Sequence, residues 1–186
     1  MDKGRLEVVC GPMFSGKTEI LLHHIRRALI AKQVVQVFKP EIDTRAGTHK
    51  IASHSNLEIA AHPVPADNAT HLWQCVEPQT GVVAIDEAQF FNSSIVGVCE
   101  RLVDEGKRVI VAGLDLDYRG APFGSMPALL SLADQVDKLT AICTECGALA
   151  TRTQRLSVSL AQVEIGAGKE YAARCRNHHT VPSNPL

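Results

Sequence analysis

The chain is poor in aromatic residues and carries no excess of either charge. One Trp, two Tyr and five Phe make up 4% of its 186 residues, and 19 Lys and Arg stand against 20 Asp and Glu, a formal net charge of -1. Without a basic surplus there is no electrostatic footprint for a nucleic-acid polymer, although the few phosphates of a nucleotide need only a local site. No apolar run approaches the ~20 residues that span a bilayer, so no membrane association is expected. No charged segment followed by a long apolar one opens the chain, because Met1–Glu7 runs straight into a short apolar strand, so no export signal is expected. The expectation is a cytoplasmic protein whose six cysteines are reduced or bound to metal rather than joined in disulfides. What is abundant is hydrophobic residues, at 45%, enough for a packed core.

The apolar pattern alternates between strands and helices. RLEVVC (5–10), VVQVFK (34–39), GVVAIDE (81–87), KRVIVAGLD (107–115) and VDKLTAI (136–142) read as five strands. Helical patterns run from Thr18, with Leu21, Ile25, Ala28 and Leu29 on one face, from Asp67 to Cys75, over 93–105, and near Met126–Ala133. Strands separated by helices predict an α/β fold, a parallel sheet with helices on both faces. Residues 40–56 are polar and read as a long loop, of the kind that is usually functional or mobile. Composition changes at Cys143, which places a boundary between a nucleotide-binding core (1–142) and a small C-terminal domain (143–186) with a short tail.

Gly11-Pro12-Met13-Phe14-Ser15-Gly16-Lys17-Thr18 satisfies the P-loop pattern in full, between an expected strand and an expected helix. The glycines let successive backbone N–H groups turn toward phosphate oxygens, and the helix dipole adds to their field. Lys17 can then bridge the terminal phosphates, and the Thr18 hydroxyl can ligate magnesium. Gly166-Ala167-Gly168-Lys169 is not a second such loop, because the first glycine would fall at Val163. The strand Val82–Ile85 delivers Asp86 and Glu87 to the carboxyl edge of the sheet. There Asp86 can hold magnesium, and Glu87 can accept the proton of a hydroxyl.

Cys143-x-x-Cys146 and Cys175-x-x-His178 form two pairs with zinc-ligand spacing, predicting a closed structural site of three cysteines and one histidine. His179 is the alternative fourth ligand. Cys10, Cys75 and Cys99 lie in apolar or helical contexts and read as core thiols.

Together, GPMFSGKT, DTR (43–45), DEAQFF (86–91), GLDLDYRGAPFG (113–124), CTEC (143–146) and IGAGKEYAARCRNH (165–178) make the chain resemble the zinc-containing, cytosolic-type (type II) thymidine kinases. The resemblance implies a RecA-like P-loop domain and a zinc domain with a substrate-gripping loop, assembled as a homotetramer. It implies ATP and thymidine as substrates, Mg2+ with the ATP, a structural Zn2+, and dTTP as a candidate feedback ligand. It puts Glu87 in the place of the catalytic base and Phe90, Leu114, Tyr118 and Phe123 in the thymine pocket. Tyr171 matches the gripping loop, and Glu164, Ile165 and Gly166 match the backbone that hydrogen-bonds the base. Tyr118 replaces a common phenylalanine and His178 a common cysteine; both keep the chemistry.

The residues themselves agree that Phe90, Tyr118 and Phe123 fall beyond the sheet's carboxyl edge, where a planar base could stack. Arg45 and Arg119 lie in polar loops and are read as phosphate contacts or solvated charges alike, and Arg152 and Arg155 as surface or inter-subunit charges. Three rivals remain open on sequence: a P-loop ATPase that is not a kinase, a zinc-ribbon module fused to a nucleotide switch, and a kinase for another nucleoside or for a monophosphate. The expected reaction is transfer of the ATP γ-phosphate to the 5′-hydroxyl of deoxythymidine, and of deoxyuridine, to give dTMP in nucleotide salvage.

Overall fold

The computed structural model describes residues 3–44, 47, 49–52, 58–157, 161–162 and 170–181. Arg5–Cys10 (β1) leads through the P-loop into Lys17–Ile30 (α1), followed by Val35–Pro40 (β2), Lys50–Ala52 (β3), Glu58–Ala60 (β4) and His62–Val64 (β5). Ala69–Cys75 (α2), Val82–Ile85 (β6), a single 3-10 turn at Ala88–Phe90, Ser94–Asp104 (α3), Arg108–Gly113 (β7), Met126–Leu132 (α4) and Gln135–Lys138 (β8) complete the larger layer. Among the described residues four short strands follow: Ala141–Ile142 (β9), Leu149–Ala150 (β10), Arg152–Arg155 (β11) and Tyr171–Arg174 (β12).

Six strands form a parallel sheet in the order β5-β2-β6-β7-β1-β8. β1, β6 and β7 are mostly Val, Leu, Ile and Ala and are buried on both faces, apart from the Glu7–Arg108 pair between β1 and β7, which suits central parallel strands covered by helices. The two-residue period splits them cleanly. Leu6, Val8, Val83, Ile85, Val109 and Val111 join α2, α3 and α4 on one face. Val9, Val82, Ala84, Ile110 and Ala112 meet Leu21, Leu22, Ile25 and Ala28 of α1 on the other. Each fully buried Leu or Ile contributes about 1.5–3 kcal/mol of transfer free energy, so α1 is held by its apolar stripe rather than by propensity. Among the described residues no helix is long and apolar enough to cross a membrane.

Three expectations are revised. A sixth strand, β5, pairs with β2 at the sheet edge; with three residues including Pro63 it carries no periodic apolar signal. The run 136–142 is two strands: β8 joins the main sheet, whereas β9 pairs antiparallel with β10 in a separate hairpin. The stretch 40–56 is not all loop, because β3 pairs with β4.

Candidate active site

At the carboxyl end of β1 the backbone turns back on itself. Gly11 has φ 145, and a Cβ there would lie 2.6 Å from the Leu139 carbonyl oxygen, so no other residue fits. Gly16 (φ 85) and Phe14 (φ 65) also take positive φ, and α1 starts at Lys17. Lys17 is buried and its Nζ donates to the Pro12 carbonyl at 2.8 Å, and Ser15 Oγ donates to the same oxygen at 2.8 Å. These contacts curl Gly11–Thr18 into a concave nest at a helix N-terminus, the geometry that binds phosphate.

Across from it, Thr18 Oγ1 donates to Asp86 Oδ2 at 3.3 Å, which brings together the two residues expected at a magnesium site. Asp86 Oδ1 in turn accepts from the backbone N–H of Glu87 at 3.0 Å. Glu87 is buried and adopts φ 53. Left-handed backbone at a non-glycine residue costs on the order of 1–3 kcal/mol and gathers at functional sites. The turn carries the Glu87 side chain away from the strand axis, to where Gln89 Nε2 donates to its Oε2 at 2.5 Å. Gln89 Oε1 then accepts from the Leu114 N–H at 2.9 Å.

Beyond Leu114 lie the expected aromatics. Phe90 meets Phe123 edge to face, with ring centroids 5.8 Å apart. Tyr118, Phe123 and Tyr171 are buried. Between the two tyrosines lies Arg155, only 2% exposed, its guanidinium carbon 3.9 Å from the Tyr118 ring centroid and 5.4 Å from that of Tyr171. Arg155 Nη2 donates to the Tyr171 hydroxyl at 2.9 Å and to the Gln162 carbonyl at 3.2 Å, and Nη1 donates to the Ala161 carbonyl. The sequence reading of Arg155 as a surface or inter-subunit charge is therefore corrected: strand position alone did not reveal that two tyrosines converge on it. Arg152 is half-buried and donates to Thr151, and Arg119 is committed to Asp117 at 2.9 Å. The expectations for Arg45 and for Glu164, Ile165 and Gly166 lie outside the described residues.

The cysteine pairs converge. The ligand atoms of Cys143, Cys146, Cys175 and His178 all lie within 4.8 Å of one another. Cys146 and Cys175 Sγ are 3.8 Å apart, and His178 Nδ1 is 3.8 Å from Cys143 Sγ and 3.3 Å from Cys175 Sγ. Sulfur and nitrogen donors around one tetrahedral zinc sit about 3.5–3.8 Å apart, so the set has the donors and close to the spacing to hold that ion. His179 is excluded as the fourth ligand, because its Nε2 meets the Tyr118 carbonyl oxygen at 2.9 Å. Burial alone would raise the Cys143 thiol, but backbone N–H groups of Cys175, Glu145 and Cys146 aimed at its sulfur outweigh that and bring it down to about 6. Among the described residues the apolar cluster here is Ala141, Cys143, Ala150, Ala173 and Cys175, small for a module without an ion to hold it. Cys10 and Cys99 are buried, as expected of core thiols, and burial pushes them to about 11 and about 12; Cys75 is half-buried.

The two regions touch directly, since the Met13 N–H of the P-loop donates to Thr153 Oγ1 of β11 at 3.0 Å. Thr153, Arg155 and Gln89 were not picked out as site residues from sequence. Gln89 lies inside DEAQFF, and its place one alternation beyond Glu87 was the available signal.

Among solved structures, the chain is similar to domain III of the Thermotoga maritima replication initiation protein DnaA, at 14% identity and TM-score 0.46. The likeness covers 73% of this chain and 55% of that one, so the chain spans about half the length of that relative. It is also similar to the genome packaging NTPase B204 from Sulfolobus turreted icosahedral virus 2, at 18% identity and TM-score 0.49, over 78% of this chain and 77% of that one. The family model described as thymidine kinase matches residues 4–179, which takes in the P-loop, the acidic strand end and the whole cysteine cluster. The chain belongs to the thymidine kinase family.

Proposed function

We propose that the protein transfers the γ-phosphate of ATP to the 5′-hydroxyl of deoxythymidine, and of deoxyuridine, in nucleotide salvage. Membership of a kinase family supports phosphorylation of a nucleoside in general. The observation that carries the finer reading is a hydrogen-bonded chain, Thr18–Asp86–Glu87–Gln89–Leu114, running from the phosphate cradle to the wall of an aromatic pocket. A carboxylate on such a chain stands between a bound phosphate and a stacked base, where a nucleoside's 5′-hydroxyl must lie.

In this reading the P-loop N–H groups and Lys17 hold the β- and γ-phosphates. Glu87 accepts the proton of the 5′-hydroxyl as its oxygen attacks the γ-phosphorus, and the bond from that phosphorus to the bridging oxygen breaks to release ADP. Thr18 and Asp86 would hold magnesium, which when bound neutralises charge on the transferring oxygens. Phe90, Leu114, Tyr118, Phe123 and Tyr171 enclose the base, with Glu164, Ile165 and Gly166 as the main-chain partners. The cysteine cluster with zinc bound would tie β9–β12 together and so hold the gripping segment. A kinase core of 1–142 and a zinc domain of 143–186 are the units we propose. A homotetramer, feedback by dTTP and a cytoplasmic setting rest on the family resemblance.

The test is a coupled ATP-consumption assay with thymidine, deoxyuridine, deoxycytidine and no acceptor. Turnover that requires thymidine, slower with deoxyuridine and absent with deoxycytidine, is expected. ATP consumption indifferent to every nucleoside would remove the pocket assignment and leave a P-loop ATPase.

A further inference from the structure

Gln89 is 3% exposed and makes two side-chain hydrogen bonds that fix which way its amide faces. The Leu114 N–H can be met only by the amide oxygen, and the Glu87 carboxylate only by the amide NH2. The neighbourhood is tight. A Cβ on Gly113 would lie 2.8 Å from Gln89 Oε1 and 2.7 Å from Met126 Sδ, and one on Gly124 would collide with the Gln89 backbone carbonyl. Gly124 also takes φ 52, so glycine is required there twice over. Two glycines thus make a slot in which Gln89 is clamped between the acid and the pocket wall.

We infer that Gln89 is a positioning residue of the phosphoryl transfer: it directs the Glu87 carboxylate and keeps it in register with the nucleoside pocket through Leu114. The inference rests on the proposed role of Glu87 as base. A carboxylate on a short stem rotates about its last bond; a donor locked on one oxygen removes that freedom. Because the lock's other end is the backbone of Leu114, a shift of the pocket wall and a shift of the base occur together. The hydroxyl of a seated nucleoside then meets the accepting oxygen without a search. Misplacement of a reacting group by about 1 Å costs on the order of 100-fold, and loss of an orienting outer partner costs about 10–100-fold.

The experiment is a double-mutant cycle with Gln89→Met and Glu87→Gln in the full chain, measuring kcat and the KM values for thymidine and ATP. Alone, Gln89→Met is expected to lower kcat by about 10–100-fold with both KM values within about twofold of the parent. In the Glu87→Gln background it is expected to change kcat by less than about twofold, because there is no base left to orient. If the two losses multiply, or if the loss falls on KM with kcat kept, the inference is overturned while the role of Glu87 stands. If Glu87→Gln alone keeps full turnover, the base assignment and the inference both fall. Should Gln89→Met not fold, Gln89→Asn serves the same cycle: its shorter amide stays polar in the slot but cannot span both partners.

Discussion

At the proposed phosphate end of the site, Gly11–Thr18 are contiguous and the backbone itself makes the cradle. At the proposed nucleoside end, Phe90, Leu114, Tyr118, Phe123, Arg155 and Tyr171 come from four separate stretches of chain, two of them on the strands of the cysteine module. The first is anchored between central strands buried on both faces. The second leans on a two-stranded ribbon, β11–β12, which is marginal by itself and rests on a core of five small residues. Phosphate recognition needs many N–H donors in one place, which consecutive residues supply. A planar base needs walls from several directions, which only distant segments can supply. One consequence is that the two ends should fail separately when perturbed.

The largest expected effect falls where they meet. Glu87→Gln should lower kcat by about 10²–10⁴-fold, the usual worth of a general base, with ATP binding by calorimetry unchanged. Unchanged turnover would withdraw Glu87 from the chemistry.

Cys143→Ser, or zinc removal by a chelator, should separate the two ends most clearly. Loss of a structural zinc removes about 10 kcal/mol of folding free energy from its module, so thymidine affinity should fall by at least about 100-fold. ATP affinity should fall by less than about fivefold. Parallel losses at both sites would instead make the Met13–Thr153 contact the dominant link between them.

A smaller effect is expected from Arg155→Met. The guanidinium stacks on Tyr118 and donates to the Tyr171 hydroxyl, contacts worth together about 1–3 kcal/mol. The thymidine KM should rise by about 10–100-fold with kcat and the ATP KM nearly unchanged. A KM for thymidine within twofold of the parent would mean that Arg155 only fills space.

The smallest effect concerns the core alone. Burial opposes ionisation of Glu7, but the Arg108 guanidinium, donating at 2.6 and 2.7 Å, and Arg5 hold its carboxyl below the ordinary 4.5. His24, packed beside Glu7, Arg108, Asp137 and His23, is pushed below its ordinary 6.5, first by burial. Glu7 therefore contributes stability above pH 4.5 that is lost as the pH falls through its lower folded value. His24 favours the unfolded chain once the pH drops under 6.5, because only the unfolded chain readily takes the proton. Tm should decline in two steps on acidification, the first below pH 6.5 and the second below pH 4.5. Glu7→Gln should lower the starting Tm, by stranding Arg108, and shrink the lower step, to which Asp117, held below its ordinary value against its burial by Arg119, also contributes. A lower step of the same size in Glu7→Gln as in the parent would show that Glu7 does not contribute.

The P-loop, the Asp86–Glu87 strand end and the cysteine spacing were legible because each depends on residues a few positions apart, whose types the chemistry dictates. The apolar runs of β1, β6 and β7 were legible for a similar reason: strands buried on both faces are apolar at most positions. β5 was not, since a three-residue edge strand containing proline is defined by its pairing with β2 rather than by its own pattern. The break in 136–142 was not, because β8 and β9 are told apart only by their partners, β1 and β10. Arg155 was misjudged because an arginine in a polar stretch is ordinarily solvated, and its burial depends on tyrosines at 118 and 171.

By itself, the sequence determined the chemistry available to this protein: a main-chain phosphate nest, a paired acid at a strand end and four soft ligands in two knuckles. Each is a short-range requirement of backbone conformation or ligand geometry, written in adjacent residues. Only the tertiary structure decided which histidine joins the cysteines, that Arg155 lies between two tyrosines, and that Gln89 ties Glu87 to Leu114. Those choices are made by packing between segments far apart in the chain, where the sheet order and the glycines at 113 and 124 set which side chains can meet.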